Sequence, residues 1–123
     1  MMKFYHCKHC GNVIAYATNS GVKVVCCGEE MQELIAGTVD ASKEKHIPVI
    51  TREGNVVTVK VGSVPHPMTK EHHIAWIALQ TEHGNQRVEL DPLGQPEAKF
   101  ALLDGDKVIT AYEYCNLHGL WKA

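Results

Sequence analysis

The amino-acid sequence predicts a mainly β protein in which a small metal-binding segment precedes an antiparallel β-sandwich. Three observations lead to this prediction. Four of the five cysteines lie in the first quarter of the 123 residues. Turn sequences recur at short spacing in the rest of the chain, and no amphipathic helical pattern persists there. A barrel is the alternative architecture that the same strand pattern allows.

The strands of the sandwich are predicted from apolar runs between turns. Residues 55–61 alternate, so Val57, Val59 and Val61 are expected to share one buried face. Residues 72–81 are apolar at successive positions, as in a central strand that is covered on both faces. Further strands are expected at 99–103 and 107–114, with a polar turn at 82–87, a turn at 91–94 and a hairpin turn at 104–106.

The chain is expected to form two domains, residues 1–36 with the clustered cysteines and residues 37–123 with the sandwich. Residues 36–45, AGTVDASKEK, are small, polar and charged, which is typical of a linker. A domain of about 40 residues buries too little apolar surface to be stable alone, so the first domain is expected to need a metal or a partner subunit.

The composition limits which partners the protein is expected to bind and in which cellular compartment it is expected. The 12 basic and 14 acidic residues give a formal net charge of −2, which argues against nucleic acid as a partner. No run approaches the roughly 20 apolar residues that span a bilayer, so no membrane partner is expected. The N-terminus has no apolar signal region, so the protein is expected in the cytoplasm, where thiols stay reduced. An odd number of cysteines then favours metal binding over disulfides.

The first candidate metal site consists of four cysteines, Cys7, Cys10, Cys26 and Cys27. A glycine follows each pair, so the backbone can turn tightly around an ion. Four thiolates can surround one ion as a tetrahedron, which suits zinc and iron alike. His6 and His9 lie nearby but are expected to be exposed, because the cysteines already complete the coordination shell.

The second candidate site combines the fifth cysteine with histidines in stiff or tightly turned segments. Cys115 and His118 form a C-x2-H motif, and His66 lies between two prolines that restrict its loop. His46 precedes Pro48, and a histidine pair opens the strand expected at 72–81. Loops at one end of a sandwich are able to bring such residues together.

The direction of the side chains and the number of donors restrict this site further. Neighbouring residues on a strand point to opposite faces, so only one of His72 and His73 is expected to face an ion, and His83 is expected to be exposed in a turn. Zinc usually closes its shell with four protein ligands, or with three and a water. Four imidazoles and one thiolate make five donors and leave one octahedral position open, which favours a redox-active iron that accepts a small molecule.

These motifs resemble the two-iron class of the desulfoferrodoxin family of superoxide reductases. The four clustered cysteines followed by Gly28 are similar to the desulforedoxin (rubredoxin-like) domain. The segments EKHIPV, GSVPHPM and CNLHGLWK are similar to the neelaredoxin-like catalytic domain. The resemblance implies an immunoglobulin-like sandwich, a homodimer and two iron ions per chain, without an organic cofactor. It implies iron at the four cysteines and, at the second iron, equatorial nitrogens from four histidines and an axial sulfur, namely His46, His66, His72, His118 and Cys115.

The function that this resemblance implies is one-electron reduction of superoxide to hydrogen peroxide, with rubredoxin suggested as the external donor. Lys45 is expected to attract the superoxide anion and to organise the water that supplies protons. The residue matching Glu44 is implied to occupy the sixth position of the oxidised iron. The alternative for both residues is a solvated charge pair in the linker. Alternative functions are a zinc-stapled binding module, a pure electron-transfer protein and a superoxide dismutase.

Overall fold

A computed structural model describes all 123 residues of the chain. Its internal contacts divide it into two compact units, Met1–Ile35 and Ala36–Ala123. The single α-helix has four residues, and no helix has the length and apolarity needed to cross a membrane.

The first unit is built from five very short strands. They are β1 (Phe4–His6), β2 (Val13–Ala15), β3 (Val25–Cys26), β4 (Glu29–Glu30) and β5 (Gln32–Leu34). Strands β2, β1 and β5 form one antiparallel sheet in that order, and β3 pairs with β4. Only three of its apolar residues are buried, Phe4, Cys7 and Met31. Such a small core leaves the unit in need of another source of stability.

The second unit is a two-sheet sandwich preceded by a short helix. Its elements are α1 (Lys43–His46), β6 (Pro48–Glu53), β7 (Val56–Val61), β8 (Ile74–Thr81), β9 (Gly84–Glu89), β10 (Glu97–Ala101), β11 (Val108–Cys115) and β12 (Gly119–Lys122). One sheet has the order β10-β7-β6 and the other has the order β12-β11-β8-β9, with every pair antiparallel. Seven strands in separate sheets of three and four confirm the immunoglobulin-like sandwich and exclude the barrel.

The core of the sandwich lies between the two sheets. Val57, Val59 and Val61 are at most 1% exposed, which confirms the predicted face of β7. They cluster with residues of the opposite sheet, among them Ile77 and Leu79 of β8. Full burial of each such side chain contributes about 1.5–3 kcal/mol. Cys115 belongs to the same cluster, so the core fixes the end of β11.

Two segments predicted to lack regular structure contain it. Residues 43–46 of the expected linker form helix α1. The expected turn at 82–87 is wrong, because the chain reverses immediately after Thr81 and residues 84–89 form the edge strand β9. Five of its six residues are exposed. An exposed edge strand does not require apolar residues, so the polar sequence of β9 has no apolar pattern that predicts a strand.

Other boundaries also differ from the prediction. The strand expected from residue 72 begins at Ile74, so the histidine pair lies before it. The strand expected at 99–103 is Glu97–Ala101. The turn at 104–106 exists but is not a hairpin, because it connects β10 and β11, which lie in different sheets. The turn at 91–94 is confirmed by a 2.9 Å bond from the Gly94 N–H to the Asp91 carbonyl.

Candidate metal centres

Backbone carbonyls fix the ring orientation of two histidines of the second site. The Nδ1 of His46 donates to the carbonyl of Ser42 at 2.7 Å, one turn back along α1. The Nδ1 of His66 donates to the carbonyl of Pro67, also at 2.7 Å. Because a carbonyl only accepts, each proton must reside on Nδ1. Each Nε2 therefore presents a lone pair, as expected for a histidine that binds a metal.

The four imidazoles form a closed ring of neighbours. The centroids of His46, His66, His72 and His118 follow one another at 4.7, 4.6, 5.1 and 4.9 Å, and successive ring planes are inclined by 77–84°. The Nε2 of His46 lies 3.0 Å from the Nδ1 of His118. Four rings arranged in this way can direct one nitrogen each toward a common centre.

The structure separates His72 from His73. The Nε2 of His72 is buried and has no hydrogen-bond partner, which is costly unless another group binds it. The Nδ1 of His73 instead bonds the carbonyl of Thr69 at 2.9 Å. The unsatisfied nitrogen of His72 therefore belongs to the site, whereas His73 does not.

Cys115 supplies the sulfur at the end of β11. Its side chain is completely buried, and its Sγ lies 3.5 Å from the Nε2 of His66 and 3.8 Å from the Nδ1 of His118. Burial raises the pKa of the thiol, while backbone N–H groups of Leu117 and His118 oppose this effect. A cation would favour the thiolate, and these two N–H groups are placed to stabilise it.

The surroundings keep three of the four histidines uncharged. Burial lowers the pKa of His46 and of His72, and lowers the pKa of His66 to about 4. At neutral pH these imidazoles are therefore neutral, which is the form that binds a metal. The positive charge of Lys45 adds to the lowering at His46 and His72, so this lysine lies within electrostatic reach of the site.

The donor set fits a single metal ion. The five candidate donor atoms all lie within 4.8 Å of one another. Metal–nitrogen bonds of about 2.1 Å, the length that zinc forms, place opposite nitrogens about 4.2 Å apart, so little adjustment is needed. Five nitrogen and sulfur donors exceed the four protein ligands that zinc prefers and suit iron.

The four cysteines of the first unit also converge. Their sulfurs lie within 4.8 Å of one another, with Cys10 and Cys26 3.6 Å apart. The backbone N–H of Cys10 lowers the pKa of Cys7 to about 6, whereas shared hydrogen bonds, the largest with Cys10, raise the pKa of Cys27 to about 12. Without a bound cation, the ionisation of one cysteine makes the ionisation of its neighbours less favourable. A bound metal stabilises all four thiolates and removes this effect.

The backbone around this cluster turns tightly, as predicted. Gly11 and Gly28 have φ values of +83° and +78°, which glycine adopts without strain. Cys27 also has a positive φ, +52°, an uncommon conformation for a residue with a Cβ. His9 is exposed and lies 3.1 Å from the Glu29 carboxylate. The expectation for His6 is wrong, because it is half-buried and its Nδ1 is inaccessible.

The sequence model of the family described as desulfoferrodoxin matches residues 38–123, about 70% of the 123 residues. The chain belongs to the desulfoferrodoxin family. Desulfoferrodoxin of Nitratidesulfovibrio vulgaris is 47% identical over 121 residues, which cover 98% of this chain and 94% of the relative. The superoxide reductase of Pyrococcus horikoshii is 45% identical over 68% of this chain and 87% of its own.

A solved structure matches the whole chain. The crystal structure of the superoxide reductase from Treponema pallidum has a TM-score of 0.85 and 46% identity, and the match covers 100% of this chain and 98% of that one. The recognition of the family from its motifs is therefore confirmed.

The structure places Glu44 and Lys45 on α1, immediately before His46, and both are exposed. The carbonyl of Glu44 accepts bonds from the N–H of Val64 and the hydroxyl of Ser63, at 3.1 and 3.3 Å. A Cβ at Gly62 would lie 2.7 Å from this carbonyl and 2.8 Å from Lys45 Cα. Glycine therefore permits the close approach that joins α1 to the loop carrying His66.

Three residues around the site were not predicted. Trp121 packs on His46, with centroids 4.9 Å apart, and its Nε1 donates to the His118 carbonyl at 3.1 Å. Glu113 is completely buried without a partner for either oxygen, and burial raises its pKa to about 9, so it is uncharged at neutral pH. Asn116 bonds the loop before β8. Trp121 and Asn116 lie inside the CNLHGLWK motif, and strand alternation places Glu113 on the face of Cys115, but no sequence pattern identified their partners.

Proposed function

We propose that this chain is a superoxide reductase, which converts superoxide into hydrogen peroxide with one electron from an external donor and two protons. The observation that carries the proposal is the convergence of four imidazoles and one buried thiol, including the unsatisfied Nε2 of His72. Family membership and the similarity to superoxide reductases support it independently.

Two iron ions per chain complete the proposal. His46, His66, His72, His118 and Cys115 would hold one, and Cys7, Cys10, Cys26 and Cys27 would hold the other. Iron bound by the four histidines and Cys115 would supply the electron and would leave one coordination position open for superoxide. The four cysteines fill a tetrahedron, so their metal is proposed to stabilise the unit or to relay electrons.

Lys45 and Glu44 are the residues that we assign to substrate handling. The positive charge of Lys45 reaches the imidazoles, so it attracts a small anion to the same place. Its ammonium group is also suited to hold a water that delivers protons to the reduced product. The carboxylate of Glu44 is proposed to close the sixth position of the oxidised iron after turnover, because α1 anchors it next to His46.

The finer assignments of partners and organisation are also proposals. Rubredoxin is proposed as the donor from the family resemblance. A homodimer is proposed because residues 1–36, taken as the cysteine-bound iron domain, have few buried apolar residues and expose Val22, Val25 and Ile35. Residues 37–123 would be the catalytic domain. A reducing compartment such as the cytoplasm suits five free cysteines.

The decisive assay measures oxygen release and donor oxidation together while superoxide is supplied. Reduction requires one donor electron per superoxide consumed and gives peroxide without oxygen. Release of one oxygen for every two superoxide ions, without donor oxidation, would instead identify a dismutase. A Cys115→Ser variant provides the control for background reaction of the donor with superoxide.

A further inference from the structure

We propose that Asn116 is a positioning residue that fixes His72 relative to Cys115. This inference rests on the proposed function, because it concerns how the chain shapes the five-donor iron site. Asn116 follows Cys115 directly, and its side chain reaches across to the loop that carries His72.

The side-chain amide of Asn116 bonds the residues on both sides of His72. Its Oδ1 accepts the backbone N–H of His73 at 2.9 Å, and its Nδ2 donates to the carbonyl of Glu71, also at 2.9 Å. The backbone N–H of Asn116 donates to the His73 carbonyl at 3.2 Å. Asn116 therefore makes three hydrogen bonds to the residues on either side of His72, two to His73 and one to Glu71.

These bonds replace regular strand pairing at this point. The register between β8 and β11 shifts between Tyr114 and Cys115, where Cys115 pairs with Ile74. A register shift of this kind interrupts the regular hydrogen-bond ladder. Beyond it the amide of Asn116 supplies one donor and one acceptor, as a backbone peptide would. The loop is thereby fastened to the strand that carries the sulfur.

His72 depends on this anchoring more than two of its neighbours do. The rings of His46 and His66 are oriented by carbonyls that accept from Nδ1, whereas the hydrogen bonds of His72 are made by its backbone, with Thr69. The position of its ring is therefore set through the backbone. Thr69 holds the other end of the loop, accepting the His72 N–H at 3.0 Å. Groups that orient ligands typically change metal affinity by about 10–100-fold when they are removed.

The test compares iron release from purified, iron-loaded full-length protein in the presence of a chelator. Asn116→Ala removes both side-chain bonds, and Asn116→Asp retains only the acceptor. Asn85→Ala, an exposed asparagine on β9, is the matched control. Iron at the four cysteines is the internal reference, and the part of the visible ferric iron–thiolate absorption that is missing from Cys115→Ser reports on Cys115.

We expect release from the five-donor site to be about tenfold faster in Asn116→Ala, the lower end of the range for such groups. The effect should be smaller in Asn116→Asp and absent in Asn85→Ala. The thiolate absorption should shift, while iron at the four cysteines is released at the wild-type rate. A purely structural role would lower the melting temperature of the metal-free protein without changing release or absorption.

Wild-type release and absorption in either Asn116 variant would overturn the inference, and if Asn116→Ala does not fold, Asn116→Asp alone decides. Loss of the inference alone would leave a wild-type protein that holds this iron and reduces superoxide. A wild-type protein that holds no iron at the five donors would overturn the proposed function as well.

Discussion

At the scale of single residues, three donors of the second centre each depend on a different neighbour. Carbonyls of Ser42 and Pro67 fix the tautomers of His46 and His66, and backbone N–H groups face the sulfur of Cys115. Burial keeps the imidazoles of His46, His66 and His72 neutral. The chain thus prepares lone pairs before an ion arrives, which reduces the reorganisation that binding requires.

The adjacent histidines offer a direct test of ligand identity. His72→Ala removes the buried, unpartnered nitrogen, so iron bound by the five donors should be lost while iron at the four cysteines remains. His73→Ala removes only a bond to the Thr69 carbonyl and should retain both irons. Iron per chain, measured by elemental analysis, checks this. Equal iron content in the two variants would contradict the assignment.

Two lysines on α1 separate electrostatic attraction from general surface charge. Lys45 is among the charges that lower the pKa of His46 and His72, whereas Lys43 is not. Lys45→Ala should lower the second-order rate constant with superoxide by about tenfold, the lower limit for electrostatic steering, and weaken its dependence on ionic strength. Lys43→Ala should react nearly as the wild type does. Pulse radiolysis at several salt concentrations would detect identical behaviour of both variants, which would exclude the role.

The residue types at both centres could be predicted from sequence, but their supporting contacts could not. Proline-stiffened histidines and the C-x2-H motif indicated a site, and the family resemblance selected His72 over His73. The bonds from Asn116 depend on how the loop before β8 meets the turn after β11, and the packing of Trp121 on His46 depends on how β12 meets α1. No local pattern encodes such a meeting of distant segments.

At the scale of elements, strands with apolar periodicity were predicted and strands without it were not. The alternation of β7 and the continuous apolar run of β8 identified them correctly. The edge strand β9 is mostly polar, and β12 has only four residues. Both form because a neighbouring strand supplies their hydrogen-bond partners, and this information lies outside their own sequences.

The buried carboxylate of Asp106 connects the end of β8 with the start of β11, so the stability of the fold depends on pH. Asp106, before β11, accepts from the Thr81 hydroxyl at 2.7 Å and from the N–H groups of His83 and Lys107 at 3.3 and 2.9 Å. Burial raises its pKa, but these bonds outweigh burial and the pKa is lowered. Its stabilising contribution is therefore complete above the unfolded value of about 3.9 and is lost as the pH falls through the lower folded value.

Asp106→Asn should accordingly lower the melting temperature at pH 6 and flatten its decline below about pH 4, where an unfolded aspartate becomes protonated. Asp40→Asn, at an exposed carboxylate, should follow the wild type. Thermal unfolding of the metal-free proteins between pH 6 and pH 3 measures both. Parallel curves for wild type and Asp106→Asn would contradict the stated role.

At the scale of the whole molecule, two units of very different core size share one chain. Ala36–Ala123 contains the continuous core of the sandwich, whereas Met1–Ile35 buries only three apolar residues, one of them Cys7. The smaller unit is therefore expected to depend on its metal for folding. The larger unit is expected to remain folded when either ion is removed.

Replacing one cysteine at each centre, in separate variants, should show which unit needs its metal to fold. Cys26→Ser should make Met1–Ile35 sensitive to protease while a fragment beginning near Ala36 survives. Cys115→Ser should leave Met1–Ile35 resistant. Limited proteolysis with mass spectrometry identifies the fragments. Equal resistance of Met1–Ile35 in both variants would show that its fold does not need the metal.

Five side chains are proposed to surround one iron and to leave a position open for superoxide. X-ray diffraction from crystals of the iron-loaded protein, recorded on both sides of the iron absorption edge, tests it directly. We expect two iron peaks per chain, one of them bonded to four histidine nitrogens and to the sulfur of Cys115. A four-coordinate zinc at this place, or an iron that Cys115 does not bind, would contradict it.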